Sequence, residues 1–140
     1  MNVNQDIVDR QYQTENFDGL LDDLVTEIEA RNYLVTRISH IDNIYDRRKA
    51  GIDVVIGFKR YKIVEFCNLN NCSELISADL RAGVFMPVRF VVYQRVDETA
   101  VHIEFLKPTA FATLFNSESL TQVAIQIEED MTRVLEELDY

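Results

Sequence analysis

Two cysteines, two histidines and one mid-strand carboxylate are the residues of this chain whose types and spacing could carry chemistry. Cys67 closes an alternating apolar run, and Cys72 follows where the next helix is expected to begin. A helix N-terminus carries partial positive charge, which lowers a thiol pKa and makes the thiolate available. The Cys-x4-Cys spacing is not the Cys-x2-Cys of redox helices or zinc knuckles. The plainer alternative is two reduced, partly buried small hydrophobes. Strand rise and the intervening turn leave open whether the two sulfurs face each other.

His40 and His102 are the two histidines. Neither reads as having a second ligand at the i, i+4 or i, i+2 spacing that metal sites favour. A metal centre built on Cys67 and His102 therefore requires the fold to bring them together. Otherwise each imidazole is simply hydrogen-bonded or exposed. Glu65 sits mid-strand between Ile63 and Cys67 on one face. Buried, its pKa would rise and it would suit a general base. On an exposed sheet face it is a solvated carboxylate, and Arg89 on a neighbouring strand is its natural partner. No Gly-x-Ser-x-Gly marks a nucleophile elbow. Gly19, Gly51, Gly57 and Gly83 are isolated, so no phosphate-cradling loop is expected. Tyr33, Tyr61, Tyr93, Phe66, Phe85, Phe90, Phe105 and Phe111 would line an apolar pocket or, more simply, pack the core.

The elements that must position these residues read as alternating strands and helices. Ile7–Gln13 has the look of a strand. Asn16 can cap a helix whose stripe is Phe17, Leu20, Leu21, Leu24, Val25 and Ile28, and Asn32 can end it in the left-handed conformation. Tyr33–His40 is a second strand. Asp42 is placed to cap a short helix through Ala50, and residues 52–58 are ambiguous between strand and loop. Tyr61–Cys67 is a strand. Asn71 with Glu74 resembles a capping box that opens the next helix, and Gly83 closes it. Val88–Arg95 and Ala100–Leu106 flank a hairpin turn at 96–99. Both faces of the first are apolar, which places it inside the sheet. Ser117 or Ser119 caps a final helix with the stripe Leu120, Val123, Ile127, Met131, Val134 and Leu138. The order predicts an α+β domain, a mixed, mostly antiparallel sheet covered by helices, spanning residues 1–140 as one unit.

Composition narrows the function classes. The 140 residues, 47% of them hydrophobic, supply one core without disulfide or metal staples. A net charge of −10 repels phosphate backbones and anionic lipid, so neither nucleic acid nor membrane is an expected partner. The basic cluster of Arg47, Arg48, Lys49, Lys59, Arg60 and Lys62 reads as a solvated face. No secretory signal and no apolar run of membrane length is visible, and a cytoplasmic, reduced protein is the simplest expectation.

Two segments carry a resemblance: Tyr61-Lys62-Ile63-Val64-Glu65-Phe66-Cys67-Asn68, and Gly83-Val84-Phe85-Met86-Pro87-Val88-Arg89-Phe90-Val91-Val92-Tyr93, with Leu75 between. From about Asp6 to Leu138 the pattern resembles a widespread prokaryotic family of uncharacterised domains, the domain-of-unknown-function family numbered three hundred and two. Its members typically carry Cys-Asn-Pro after the first strand and Leu-Pro-Cys before the next. Here Cys67-Asn68 matches, Leu69 stands at the proline position and Val88 at the second cysteine. The resemblance implies a small α+β domain, often dimeric, with no established activity.

The expected function is a non-enzymatic binding or accessory module, homodimeric through its sheet or aromatic surface, with a protein or small molecule as ligand. The alternative is a thiol-redox or metal-binding protein centred on Cys67. Candidate ligand-binding or redox residues are Cys67, Asn68, Cys72, Glu65 and Arg89, with Cys67 and His102 the metal candidates. A weaker third reading makes Glu65 the base of a hydrolase. The sequence names no cofactor.

Overall fold

The computed structural model describes residues 1–43 and 57–140. Over these residues the chain runs α1 (Val3–Asp6), β1 (Ile7–Gln13), α2 (Phe17–Ala30), β2 (Leu34–His40), β3 (Phe58–Cys67), α3 (Leu69–Ala78), a 3-10 segment (Leu80–Phe85), β4 (Val88–Arg95), β5 (Ala100–Leu106), α4 (Pro108–Ala112) and α5 (Glu118–Glu136). This is the α+β class expected. The expected helix from Asp42 to Ala50, residues 52–56 and the cluster Arg47, Arg48 and Lys49 lie outside the described residues.

The five strands form one sheet in the order β1-β5-β4-β3-β2. Each pairing is antiparallel, so the sheet is not mixed. The chain crosses from one edge to the other through α2, then returns strand by strand until β5 closes against β1. β4 lies at the centre, as its apolar faces require.

Strand side chains alternate between two faces, and the helices cover one of them. Val64, Phe66, Phe90, Val92, Val101, Ile103 and Phe105 point into a core completed by Leu20, Leu24 and Ile28 of α2 and by Leu120, Ile127 and Met131 of α5. Tyr12 on β1 joins it and donates its hydroxyl to the Leu135 carbonyl at 2.9 Å. Burying a side chain of this size stabilises by about 1.5–3 kcal/mol. The two long helices therefore hold to the sheet through their stripes, and not through their charged outer faces.

Most element boundaries follow local chemistry. Asn16 Oδ1 accepts from the Gly19 amide at 3.0 Å and starts α2. Asn32 takes φ 65° just beyond it, the left-handed position that asparagine tolerates. Ser117, not Ser119, caps α5, with its hydroxyl accepting from the Leu120 amide. Three boundaries differ from expectation. The helix expected to be closed by Gly83 ends at Ala78, and Gly83 lies inside the 3-10 segment Leu80–Phe85. β3 starts at Phe58, extending the strand expected from Tyr61. α3 starts at Leu69 and is capped by Asn68, whose Oδ1 accepts from the Asn71 amide at 3.1 Å. Asn71 is thus inside the helix, and its side chain donates to the Tyr33 hydroxyl instead.

Lys59, Arg60 and Lys62 do not form a free basic patch. Lys62 Nζ donates to Asp42 Oδ1 at 2.8 Å, and Arg60 pairs with Asp18 and with Asp42. Lys59 Nζ donates to the Glu98 carbonyl. These contacts tie β3 to the end of β2, the start of α2 and the β4–β5 turn.

Candidate functional site

Cys67 ends β3 and Cys72 occupies the fourth position of α3, one turn inside the helix where the sequence suggested its first position. Their Cα atoms are 6.6 Å apart and the sulfurs are joined as a disulfide. The fold thus brings the two sulfurs together, a point the sequence left open. Asn68 stands between them and does two things: it caps α3 and donates Nδ2–H to the Asn32 carbonyl at 3.0 Å. Exposed Leu34 and Leu69 lie beside this junction, Leu34 directly opposite Cys67 in the β2–β3 ladder.

The second place of interest is the sheet face opposite the helices. No helix of the described residues contributes to it. Across the middle of this face the register aligns Tyr61 with Tyr93, Tyr93 with His102 and His102 with Gln11. The first three rings stack. Tyr61 and Tyr93 have centroids 5.4 Å apart at an interplanar angle of 9°, and Tyr93 and His102 are 4.9 Å apart at 4°. Phe58 extends the column against Tyr61 at 5.1 Å. Half-buried Ile63 and Val91, cross-strand partners, lie on the same face.

His102 is buried and gripped at both ring nitrogens. Nδ1 lies 3.1 Å from Asp9 Oδ1, and Nε2 lies 3.0 Å from Glu98 Oε1. Burial alone would lower its pKa, but the hydrogen bonds and charges of Asp9 and Glu98 outweigh it, and the pKa is raised. Glu104, two residues along on the same face, accepts a hydrogen bond from the Tyr93 hydroxyl. Burial first, then that bond and the Glu104 charge, push the Tyr93 pKa up to about 12. Tyr93 therefore stays a neutral donor at physiological pH. Arg95 stands over the Tyr93 ring at 5.7 Å and pairs with Glu98 at 3.2 Å.

A family model described as a domain of unknown function, DUF302, matches residues 9–138. The chain belongs to the DUF302 family. It is similar to the crystal structure of an uncharacterized conserved DUF302 protein from Bacillus stearothermophilus, with TM-score 0.80 and 20% identity over 94% of this chain and 97% of that one. At that identity the likeness speaks for the fold. No curated protein matches this chain.

In this DUF302 domain, Leu69 occupies the position at which the resemblance implied proline. It is the first residue of α3, a position at which proline is at home because its missing amide would have no helical partner. Val88, at the second family cysteine, is a buried core residue of β4.

The structure brings together some of the sequence candidates and separates others. Cys67, Asn68 and Cys72 share one junction. Glu65 and Arg89 are cross-strand neighbours on the open face, Nη1 to Oε1 3.9 Å, and Glu65 is only partly buried there. Glu65 therefore sits in a loose ion pair on a partly exposed sheet face, and not in the buried site that the general-base reading needs. Cys67 and His102 do not meet: Cys67 ends β3 beyond Phe66–Val88, whereas His102 lies level with Tyr61. Six residues of strand separate those levels, about 20 Å at strand rise. The aromatic candidates divide between places. Phe66, Phe90, Phe105 and Phe111 pack the core, and Tyr61 and Tyr93 line the open face.

Asp9, Glu98 and Glu104 are the functional candidates that sequence reasoning passed over. Glu104 is at i+2 from His102 and Glu98 at i−4. Both spacings are visible once carboxylates are counted as ligands beside His and Cys. Asp9 lies ninety-three positions from His102, and only the β1–β5 register reveals it.

Proposed function

We propose that this DUF302 domain is a non-enzymatic binding or accessory module that works as a homodimer through its open sheet face. The observation that carries this reading is the aromatic column Tyr61–Tyr93–His102, flanked by Ile63 and Val91, on the face opposite the core that the helices cover. A sheet normally buries its apolar face against another layer. The face also carries both signs of charge. Arg37 and Arg89 flank Glu65 towards one end, and Asp9, Glu98 and Glu104 gather towards the other. A two-fold axis through the middle would set each cationic end against the partner's acidic end, as an isologous interface requires. We place the module in the cytoplasm. A net charge of −10 argues against nucleic acid as its partner. Among the described residues no helix is long and apolar enough to cross a membrane.

Sedimentation equilibrium of the purified chain tests the reading. The native chain is expected at twice its monomer mass, and Val91→Glu at the monomer mass with unchanged far-UV circular dichroism. A native chain that sediments as a monomer at micromolar concentration would overturn it.

The joined Cys67–Cys72 pair favours a second reading, a thiol–disulfide function at the β3–α3 junction. In a reducing compartment persistent disulfides are rare, and those that form are mostly transient and functional. A dithiol reductant would deliver two electrons and two protons, giving two thiols and an oxidised reductant. Alkylation after reduction is expected to modify half-buried Cys67 faster than buried Cys72. Two thiols that never oxidise in air or with oxidised glutathione would contradict this reading.

A further inference from the structure

The like charges on β1 and β5 demand an explanation. Asp9 and Glu104 are directly opposite each other in the antiparallel ladder, on the open face. Like charges in that relation destabilise a sheet. His102 lies beside them, and one ligand atom from each of Asp9, His102 and Glu104 falls within 4.8 Å of the other two. The imidazole is also held in a particular way. Nδ1 lies 3.1 Å from the Asp9 carboxylate and Nε2 lies 3.0 Å from that of Glu98, so the ring is fixed with Nδ1 on the side of Asp9.

We propose that Asp9, His102 and Glu104 form a binding site for one divalent first-row transition ion such as Zn2+ or Mn2+. One imidazole and two carboxylates make a donor set of borderline softness, which favours these ions over Ca2+ and Mg2+. The ligands already have the outer partners such sites use. Glu98 orients His102 through Nε2, Arg95 holds Glu98, and the Tyr93 hydroxyl holds Glu104. Bonds near 2.1 Å to a tetrahedral ion need ligand atoms about 3.4 Å apart. Rotation of the exposed Asp9 side chain can close the difference. Its exposure leaves the remaining coordination positions open to water. The site consists of residues within one chain and stands whether or not the face pairs with a second copy.

The test is a Zn2+ titration of the Cys67→Ser/Cys72→Ser chain, which removes competing thiolates, followed by the imidazole proton resonances. His40 is the one other histidine and serves as an internal control. The proposal expects one ion per chain, a His102 signal that moves to completion at one equivalent, and a His40 signal that stays in place. Asp9→Asn and Glu104→Gln, at partly exposed positions that leave the core intact, are each expected to weaken binding at least about tenfold. Equal movement of His40 and His102, or affinity unchanged in both carboxylate variants, would overturn the proposal.

Discussion

Asp42 shows how one side chain can tie the end of β2 to a neighbouring strand, β3. Its carboxylate accepts from the Tyr61 amide at 2.9 Å and from Lys62 Nζ at 2.8 Å, with Arg60 Nε 3.4 Å away. Burial alone would raise its pKa, but those hydrogen bonds and cationic charges outweigh burial, and the pKa is lowered. A carboxylate depressed in the folded state stabilises the fold above its unfolded pKa, near 3.8, and that contribution is lost as pH falls through the folded value. Asp42→Asn is expected to cost about 2 kcal/mol near pH 7, the scale of a hydrogen bond to a charged group. Urea unfolding as a function of pH checks this: the gap between native and variant should be widest above pH 4 and should close in acid. Asp42 was legible only as a possible helix cap. Its partners Tyr61 and Lys62 lie about twenty residues on, in a strand whose pairing no local signal reveals. The same holds for His102. Glu98 and Glu104 are its sequence neighbours, but Asp9 comes to it through sheet register alone.

At the scale of elements, local chemistry was enough wherever the signal was local. Phe17, Leu20, Leu24 and Ile28 recur at helical spacing, and they are the residues α2 buries. Val88–Arg95 and Ala100–Leu106 alternate, and they pair across the turn between them. The α3 boundary was read three residues late because Asn68 and Asn71 are both plausible caps and Glu74 favoured the second. The fold chose Asn68, which also reaches the Asn32 carbonyl at the end of the preceding helical unit. That shift changes the chemistry of Cys72. Inside the first turn it would face solvent at the positive end of the dipole. One turn further along, it is buried and turned back towards Cys67 at the strand end. The junction between β3 and α3 thus pairs the cysteines as a consequence of where the helix begins.

At the scale of the whole molecule, the helices lie on one side of an antiparallel sheet. The face they cover is an aliphatic and aromatic core, and the other carries stacked rings and charges of both signs. The α+β class followed from the order of elements, and the family from the Glu65–Asn68 and Gly83–Tyr93 segments. The one-sided layering did not. Apolar residues at Val91 and Tyr93 suggested that β4 was covered on both faces, whereas the described residues cover only the face of Phe90 and Val92. Those half-buried apolar positions are what a second protomer would bury. The measurement that addresses this most directly is an isotope-filtered nuclear Overhauser experiment on a mixture of labelled and unlabelled chains. Intermolecular contacts from the Ile63 and Val91 methyl groups to the Tyr61 and Tyr93 rings are expected. Contacts confined to the outer surfaces of α3 and α5, or none at all, would contradict a dimer built on the open sheet face.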